Sequence, residues 1–205
     1  MELAARLRKY FIMGSQNCDR NPVELLQEAI EGGITAFQYR EKGKGSLQGK
    51  QKLELGRKLR KLCHDKDVLF FVNDDVHLIE SLEVDGVHVG QDDEHVESLR
   101  RRFPGIIIGL SVSNEQEVER SPLHLVDYLG AGPVFSTSTK EDAKKAVGVE
   151  WIAHLHRTHP NLPIVGIGGI TTDNASSVLT AGASGISVIT AITKAEDIQK
   201  AVRSL

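Results

Sequence analysis

The amino-acid sequence predicts an α/β protein, a single (β/α)8 TIM barrel spanning residues 1–205. Three observations carry that expectation. A short β-branched run ending in glycine or a polar residue recurs from end to end, a longer amphipathic segment follows each run, and the pair repeats eight times. Alternation of this kind implies parallel strands joined by crossover helices. Eight units suggest a closed barrel, the rival being a doubly wound sheet with two extra units. The length is that of about one domain. Forty per cent apolar residues suffice for one core, and 26% charged residues argue against disorder. No linker or low-complexity stretch divides the chain.

The expected strands are Tyr10–Met13, Thr35–Tyr39, Val68–Val72, Gly86–Val89, Ile106–Leu110, Val126–Leu129, Ile164–Ile167 and Gly185–Ile189. The first long helix, Pro22–Glu31, follows Asn21 as N-cap, has proline at its first position, and stops at Gly32-Gly33. Leu47–His64 carries Leu53, Leu55, Leu59 and Leu62 as its apolar residues. Asp75–Leu82, His95–Arg102, Glu115–Arg120, Glu150–Thr158, Thr172–Ala181 and Ala195–Ser204 complete the helices.

Composition excludes several functions. The net charge is -3, without a charged tail or a basic run interleaved with aromatics, so nucleic acid is not an expected partner. The longest apolar runs, such as Ile106–Leu110, are too short to cross a membrane. The stretch Met1–Gly14 lacks the apolar core of a signal peptide. Cys18 and Cys63 form no CxxC pattern, which suits a reducing cytoplasmic setting. No nucleophile–base constellation is legible, and His88, inside the fourth strand, reads as a packed, satisfied histidine.

In such barrels the active site gathers at the C-terminal ends of the strands. The second strand ends Gln38-Tyr39-Arg40-Glu41-Lys42. Side chains alternate, so Gln38, Arg40 and Lys42 share one face if the strand persists that far, and Phe37 and Tyr39 take the other. Two cations at the mouth of a lumen suit a phosphate or pyrophosphate; the alternative is a solvated strand end with Glu41 as ion-pair partner. The third strand ends Val72-Asn73-Asp74-Asp75 and the fourth Val89-Gly90-Gln91-Asp92-Asp93. Carboxylates on two neighbouring loops suit Mg²⁺, which takes one or two of them together with phosphates and waters; helix capping is the alternative. Ser111 ends the fifth strand and by itself decides nothing. After the sixth comes Ser136-Thr137-Ser138-Thr139-Lys140, which could wrap a phosphate or act as a lid. After the seventh and eighth strands, Gly169 and Ile189-Thr190 occupy the loops that often bind phosphate in this architecture.

Taken in order, these stretches resemble the thiamine-phosphate synthase family over nearly the whole chain. Tyr10–Gly14, Gln38–Lys42, Val72–Asp75, Gly86–Asp93, Gly130–Phe135, Thr137–Lys140, Gly166–Ile170 and Ile186–Ile192 carry the resemblance. It implies a transferase of thiamine biosynthesis that joins hydroxymethylpyrimidine diphosphate to thiazole phosphate and releases pyrophosphate. It implies that Gln38, Arg40, Lys42 and Asn73 hold the pyrimidine diphosphate and that Asp74 and Asp93 bind Mg²⁺. Ser111 would touch the pyrimidine, Lys140 the diphosphate, and Arg40, Lys42, Ser111 and Lys140 would form the catalytic set. Thr137, Thr139, Gly169, Ile189 and Thr190 would hold the thiazole phosphate. Family members often form dimers, so a homodimer is allowed, though no interface is legible. Two further readings are a thiazole tautomerase and a non-catalytic phosphate-ligand binder.

Overall fold

The computed structural model describes residues 2–137 and 145–205. Eight parallel strands close in sequence order into one barrel: β1 (Lys9–Met13), β2 (Ala36–Tyr39), β3 (Leu69–Asn73), β4 (Gly86–Val89), β5 (Ile107–Val112), β6 (Tyr128–Ala131), β7 (Ile164–Ile167) and β8 (Gly185–Val188). β8 pairs back onto β1 through Tyr10 and Ser187, which excludes the open doubly wound sheet. The helices are α1 (Leu3–Arg6), α2 (Pro22–Gly32), α3 (Gly49–Asp65), α4 (Leu78–Leu82), α5 (Val96–Arg102), α6 (Glu115–Glu119), α7 (Val149–Thr158), α8 (Ala175–Thr180), α9 (Thr190–Thr193) and α10 (Ile198–Arg203).

Local chemistry sets several of these boundaries. Asn21 accepts the Val23 N–H at 3.0 Å and caps α2, which Gly33 ends in the left-handed region at φ 101°. The buried face of α3 is Lys52, Gly56, Leu59 and Cys63. Of the four expected leucines only Leu59 lies fully in that face. A side chain at Gly56 would approach Leu82 to 2.8 Å, so α3 and α4 meet too closely there for anything larger. Three helices start three residues later than expected, at Leu78, Ala175 and Ile198, because turns or bends precede them. Two short helices, α1 and α9, carry no sequence expectation. β5 runs two residues beyond Leu110 and so includes Ser111. β6 begins at Tyr128 rather than Val126, because Val126 closes a 3-10 turn over Leu123–Leu125.

Alternation along the strands makes two apolar layers. Phe11, Phe37, Tyr39 and Phe70 point outward into the layer beneath the helices. Tyr10, Ile12, Leu69, Phe71, Tyr128 and Val165 fill the lumen, with Leu3 and Leu7 packed against them from the N-terminal segment. Large lumen side chains need small neighbours. A Cβ on Gly109 would sit 2.2 Å from the Tyr128 ring. Gly109→Ala is therefore expected to destabilise the fold, since overpacking costs about 1–3 kcal/mol against roughly 0.4–1 kcal/mol regained from a stiffer unfolded chain. Urea unfolding measures it, and an unchanged midpoint would contradict this packing.

Candidate active site

A cavity of about 250 Å³ opens at the C-terminal ends of the strands. Its wall includes Arg40, Lys42, Asn73, Asp74, Asp93 and Ser111 on one side. Thr137, Gly169, Ile189 and Thr190 lie on the other. The C-terminal ends of seven strands, β2 to β8, and the loops after them thus bring ten of the expected residues to one mouth. Gln38 does not line it. It lies deeper and 2% exposed, with Nε2 donating to the Tyr10 hydroxyl at 2.9 Å. Thr139 and Lys140 lie outside the described residues.

The β2 end supplies the cations. The ladder stops at Tyr39, yet the Arg40 N–H still donates to Met13 O at 3.0 Å, which continues the strand direction by one residue. Arg40 is 8% exposed and lines the cavity, and among the described residues no carboxylate pairs with it. Glu41, the neutralising partner open in the sequence reading, turns away. Its carboxylate is buried and accepts the Ser15 N–H at 2.6 Å, the Ser15 hydroxyl at 2.9 Å and the Leu47 N–H at 2.7 Å. Those three bonds fix the loop and leave the positive charge of Arg40 facing the cavity.

The β3 and β4 ends supply the carboxylates. Asp74 sits in the left-handed region at φ 59°, a conformation Asp tolerates better than most residues. The kink separates the two neighbouring acids. Asp74 reaches Lys42 Nζ at 2.6 Å, whereas Asp75 pairs with the buried Lys52. Asp93 lies 3.9 Å from the same Lys42 Nζ and accepts the Gly90 N–H at 2.8 Å. Neither caps a helix, since His77 and His95 stand at the N-caps of α4 and α5. Burial raises the Asp74 carboxyl above the usual carboxylate range, and the hydrogen bond and charge of Asp93 raise it further against the pull of Lys42. Burial would lower Lys42, but the bond to Asp74 and the charges of Asp74 and Asp93 outweigh it and hold Lys42 firmly cationic. Two acids crowded on one lysine can take more positive charge. Their hard oxygen donors fit Mg²⁺ completed by phosphate and water.

The far wall is backbone-rich. Gly169 has φ 65°, and a Cβ there would lie 2.6 Å from Ser136 O, so glycine is required by conformation and by space. The Asn174 side chain donates to Gly169 O at 3.0 Å and holds the turn. Thr190 begins α9 at the rim. On the floor, His88 is satisfied, as expected, by Tyr128 Oη at 2.9 Å and Ser111 Oγ at 2.8 Å. It also lines the cavity, which the sequence reading missed.

The fold and this mouth define a (β/α)8-barrel protein with buried and half-buried cations and carboxylates gathered at one rim. A family model described as thiamine monophosphate synthase matches residues 9–192. The chain is 58% identical over 199 residues to a thiamine-phosphate synthase of Oceanobacillus iheyensis, covering 97% of each. It is 47% identical over 204 residues to a thiamine-phosphate synthase of Bacillus mycoides, covering 100% of this chain and 93% of the relative. A solved thiamine phosphate pyrophosphorylase from Pyrococcus furiosus superposes with a TM-score of 0.88 at 37% identity, covering 100% of this chain and 96% of that one. A 3-hexulose-6-phosphate synthase, with a TM-score of 0.62 at 14% identity, covers 96% of this chain and 97% of its own and shares the fold alone. The chain belongs to the thiamine monophosphate synthase family.

Proposed function

We propose that this protein is a thiamine-phosphate synthase. It condenses 4-amino-2-methyl-5-hydroxymethylpyrimidine diphosphate with thiazole phosphate, giving thiamine phosphate and pyrophosphate. Membership of the family supports the reaction, and one observation supports its assignment to this mouth. Arg40 is a buried cation without a described counter-ion, next to a lysine that two carboxylates share. A buried charge left unpaired is costly, so the arrangement makes sense when an anion visits.

In this reading Asp74 and Asp93 would hold Mg²⁺, which when bound would supply positive charge to the leaving group. Arg40 grips that group with its two-pronged guanidinium, Lys42 adds a point charge, and Asn73 donates from the end of β3. Lys140, outside the described residues, joins them as a further cation. Together they stabilise charge gathering on the leaving pyrophosphate as the bond to the pyrimidine methylene breaks. The aminopyrimidine stabilises the resulting cation, and the thiazole nitrogen attacks it. That nitrogen has no proton to lose, so no side-chain base is required. Ser111 orients the pyrimidine from the floor. Thr137 and Thr190, with the backbone at Gly169 and Ile189 and with Thr139, outside the described residues, as a further hydroxyl, seat the thiazole phosphate, which turns an encounter of two molecules into a step within one complex. Cys18 and Cys63, both free, suit a cytoplasmic enzyme.

The test mixes purified protein with both substrates and Mg²⁺. One pyrophosphate released per thiamine phosphate formed is the expected result. Isomerisation of the thiazole without the diphosphate, or binding of either compound without turnover, would replace the synthase reading with a tautomerase or a binder.

A further inference from the structure

Five polar side chains from five strands join end to end inside the barrel. Gln38 Nε2 on β2 donates to Tyr10 Oη on β1 at 2.9 Å. The Tyr10 hydroxyl meets the Tyr128 hydroxyl on β6 at 3.0 Å. Tyr128 Oη lies 2.9 Å from His88 Nδ1 on β4, and His88 Nε2 lies 2.8 Å from Ser111 Oγ on β5. The Ser111 end opens on the cavity, whereas the Gln38 end is closed off from it. Both rings pack directly against glycine backbone. A Cβ on Gly130 would sit 2.7 Å from His88 Cε1, and one on Gly109 would strike Tyr128.

Each hydroxyl has one proton to give, so the chain has a direction. Burial raises both phenols far above their ordinary value and keeps them protonated. The Gln38 amide nitrogen donates and cannot accept, so the Tyr10 proton is left for Tyr128, the other polar atom bonded to its hydroxyl. The Tyr128 proton then goes to His88 Nδ1. A neutral imidazole with an accepting Nδ1 carries its proton on Nε2 and gives it to Ser111 Oγ. The serine proton is left for the cavity. In the opposite polarity, His88 Nε2 would consume that proton, and Ser111 could only accept.

We propose that this relay fixes Ser111 as a hydrogen-bond donor toward the bound heterocycle and so selects a pyrimidine whose facing ring nitrogen has a lone pair over one whose nitrogen bears a proton. Gln38, Tyr10, Tyr128 and His88 are positioning residues in this scheme, acting through Ser111. The selectivity rests on the assignment of the pyrimidine to Ser111 above; the direction of the relay does not.

Long-range nitrogen–proton correlation spectra of histidine-labelled protein, with the His88 signal identified by its loss in His88→Gln, read the direction. A proton on Nε2 alone is expected; one on Nδ1, or on both nitrogens, overturns the relay. Calorimetric affinities for the 4-amino and 4-oxo pyrimidine diphosphates, measured without thiazole phosphate, read the selectivity. The intact protein favours the amino form by roughly 10- to 100-fold, the cost of an unmatched buried polar pair. Tyr128→Phe, which keeps the ring and deletes the link, brings the ratio towards that of Ser111→Ala. A ratio unchanged in Tyr128→Phe rejects the proposal. Where neither diphosphate supports pyrophosphate release on adding thiazole phosphate, the functional reading fails, and the nitrogen spectrum still decides the relay.

Discussion

Asp93→Ala is expected to lower the rate of pyrophosphate release by about 10²–10³-fold, the loss typical when one group stabilising transition-state charge is removed. Asp93 is one of two carboxylates that share Lys42, and its other oxygen is tied to the Gly90 N–H. Removing it leaves Asp74 to pair with Lys42 at 2.6 Å and halves the hard oxygen donors offered to Mg²⁺. With Asp93 holding the metal as proposed, raising Mg²⁺ should recover part of the rate. Asp93→Asn separates charge from shape. It keeps an acceptor for Gly90 and removes the negative charge that helps raise Asp74. Without metal, Asp93→Asn should therefore let Asp74 titrate at lower pH than in the parent, nearer the ordinary carboxylate range. Carboxyl carbon shifts followed by NMR through acid pH measure it. A variant with full activity, or one whose Asp74 titrates no lower than in the parent, would contradict the shared site.

The sequence made the barrel and the charged rim legible for the same reason. Short β-branched runs end where the chain must become polar, and residues such as Asp74 and Asp93 stand out where no core explains them. Partnerships across the chain were harder to read. Nothing in Arg40-Glu41-Lys42 shows that the central carboxylate bonds to Ser15 and Leu47 and neutralises neither neighbour. Tyr10 and Tyr128 look like ordinary strand aromatics; only register shows that both face the lumen and meet. Gln38 shared the predicted face with Arg40, but one step of the strand is about 3.3 Å. Two steps lower, it joins the lumen network instead of the cavity wall. Helix α3 misled through its leucines, since Lys52 gained burial from a partner, Asp75, on a different loop.

Arg40→Met is expected to lower turnover by a similar 10²–10³-fold while leaving the apparent affinity for thiazole phosphate unchanged, because the seat proposed for that phosphate lies across the cavity. Unliganded, the same variant should be more stable than the parent. Arg40 is buried, and among the described residues no carboxylate offsets its charge, so an apolar side chain of similar volume removes a desolvation cost. Adding pyrophosphate with Mg²⁺ reverses the order. At a hundredfold excess over its Kd, a ligand stabilises the folded state by about 2.7 kcal/mol; the parent gains this increment, and the variant loses most of it. Arg40→Lys tests whether charge alone suffices. Lysine restores the cation without the planar fork, so turnover should stay well below the parent even when the pyrophosphate increment partly returns. Thermal unfolding with and without pyrophosphate, beside steady-state rates, decides the matter. An Arg40→Met protein less stable when empty, or stabilised by pyrophosphate as strongly as the parent, would mean that Arg40 braces the barrel rather than waiting for an anion.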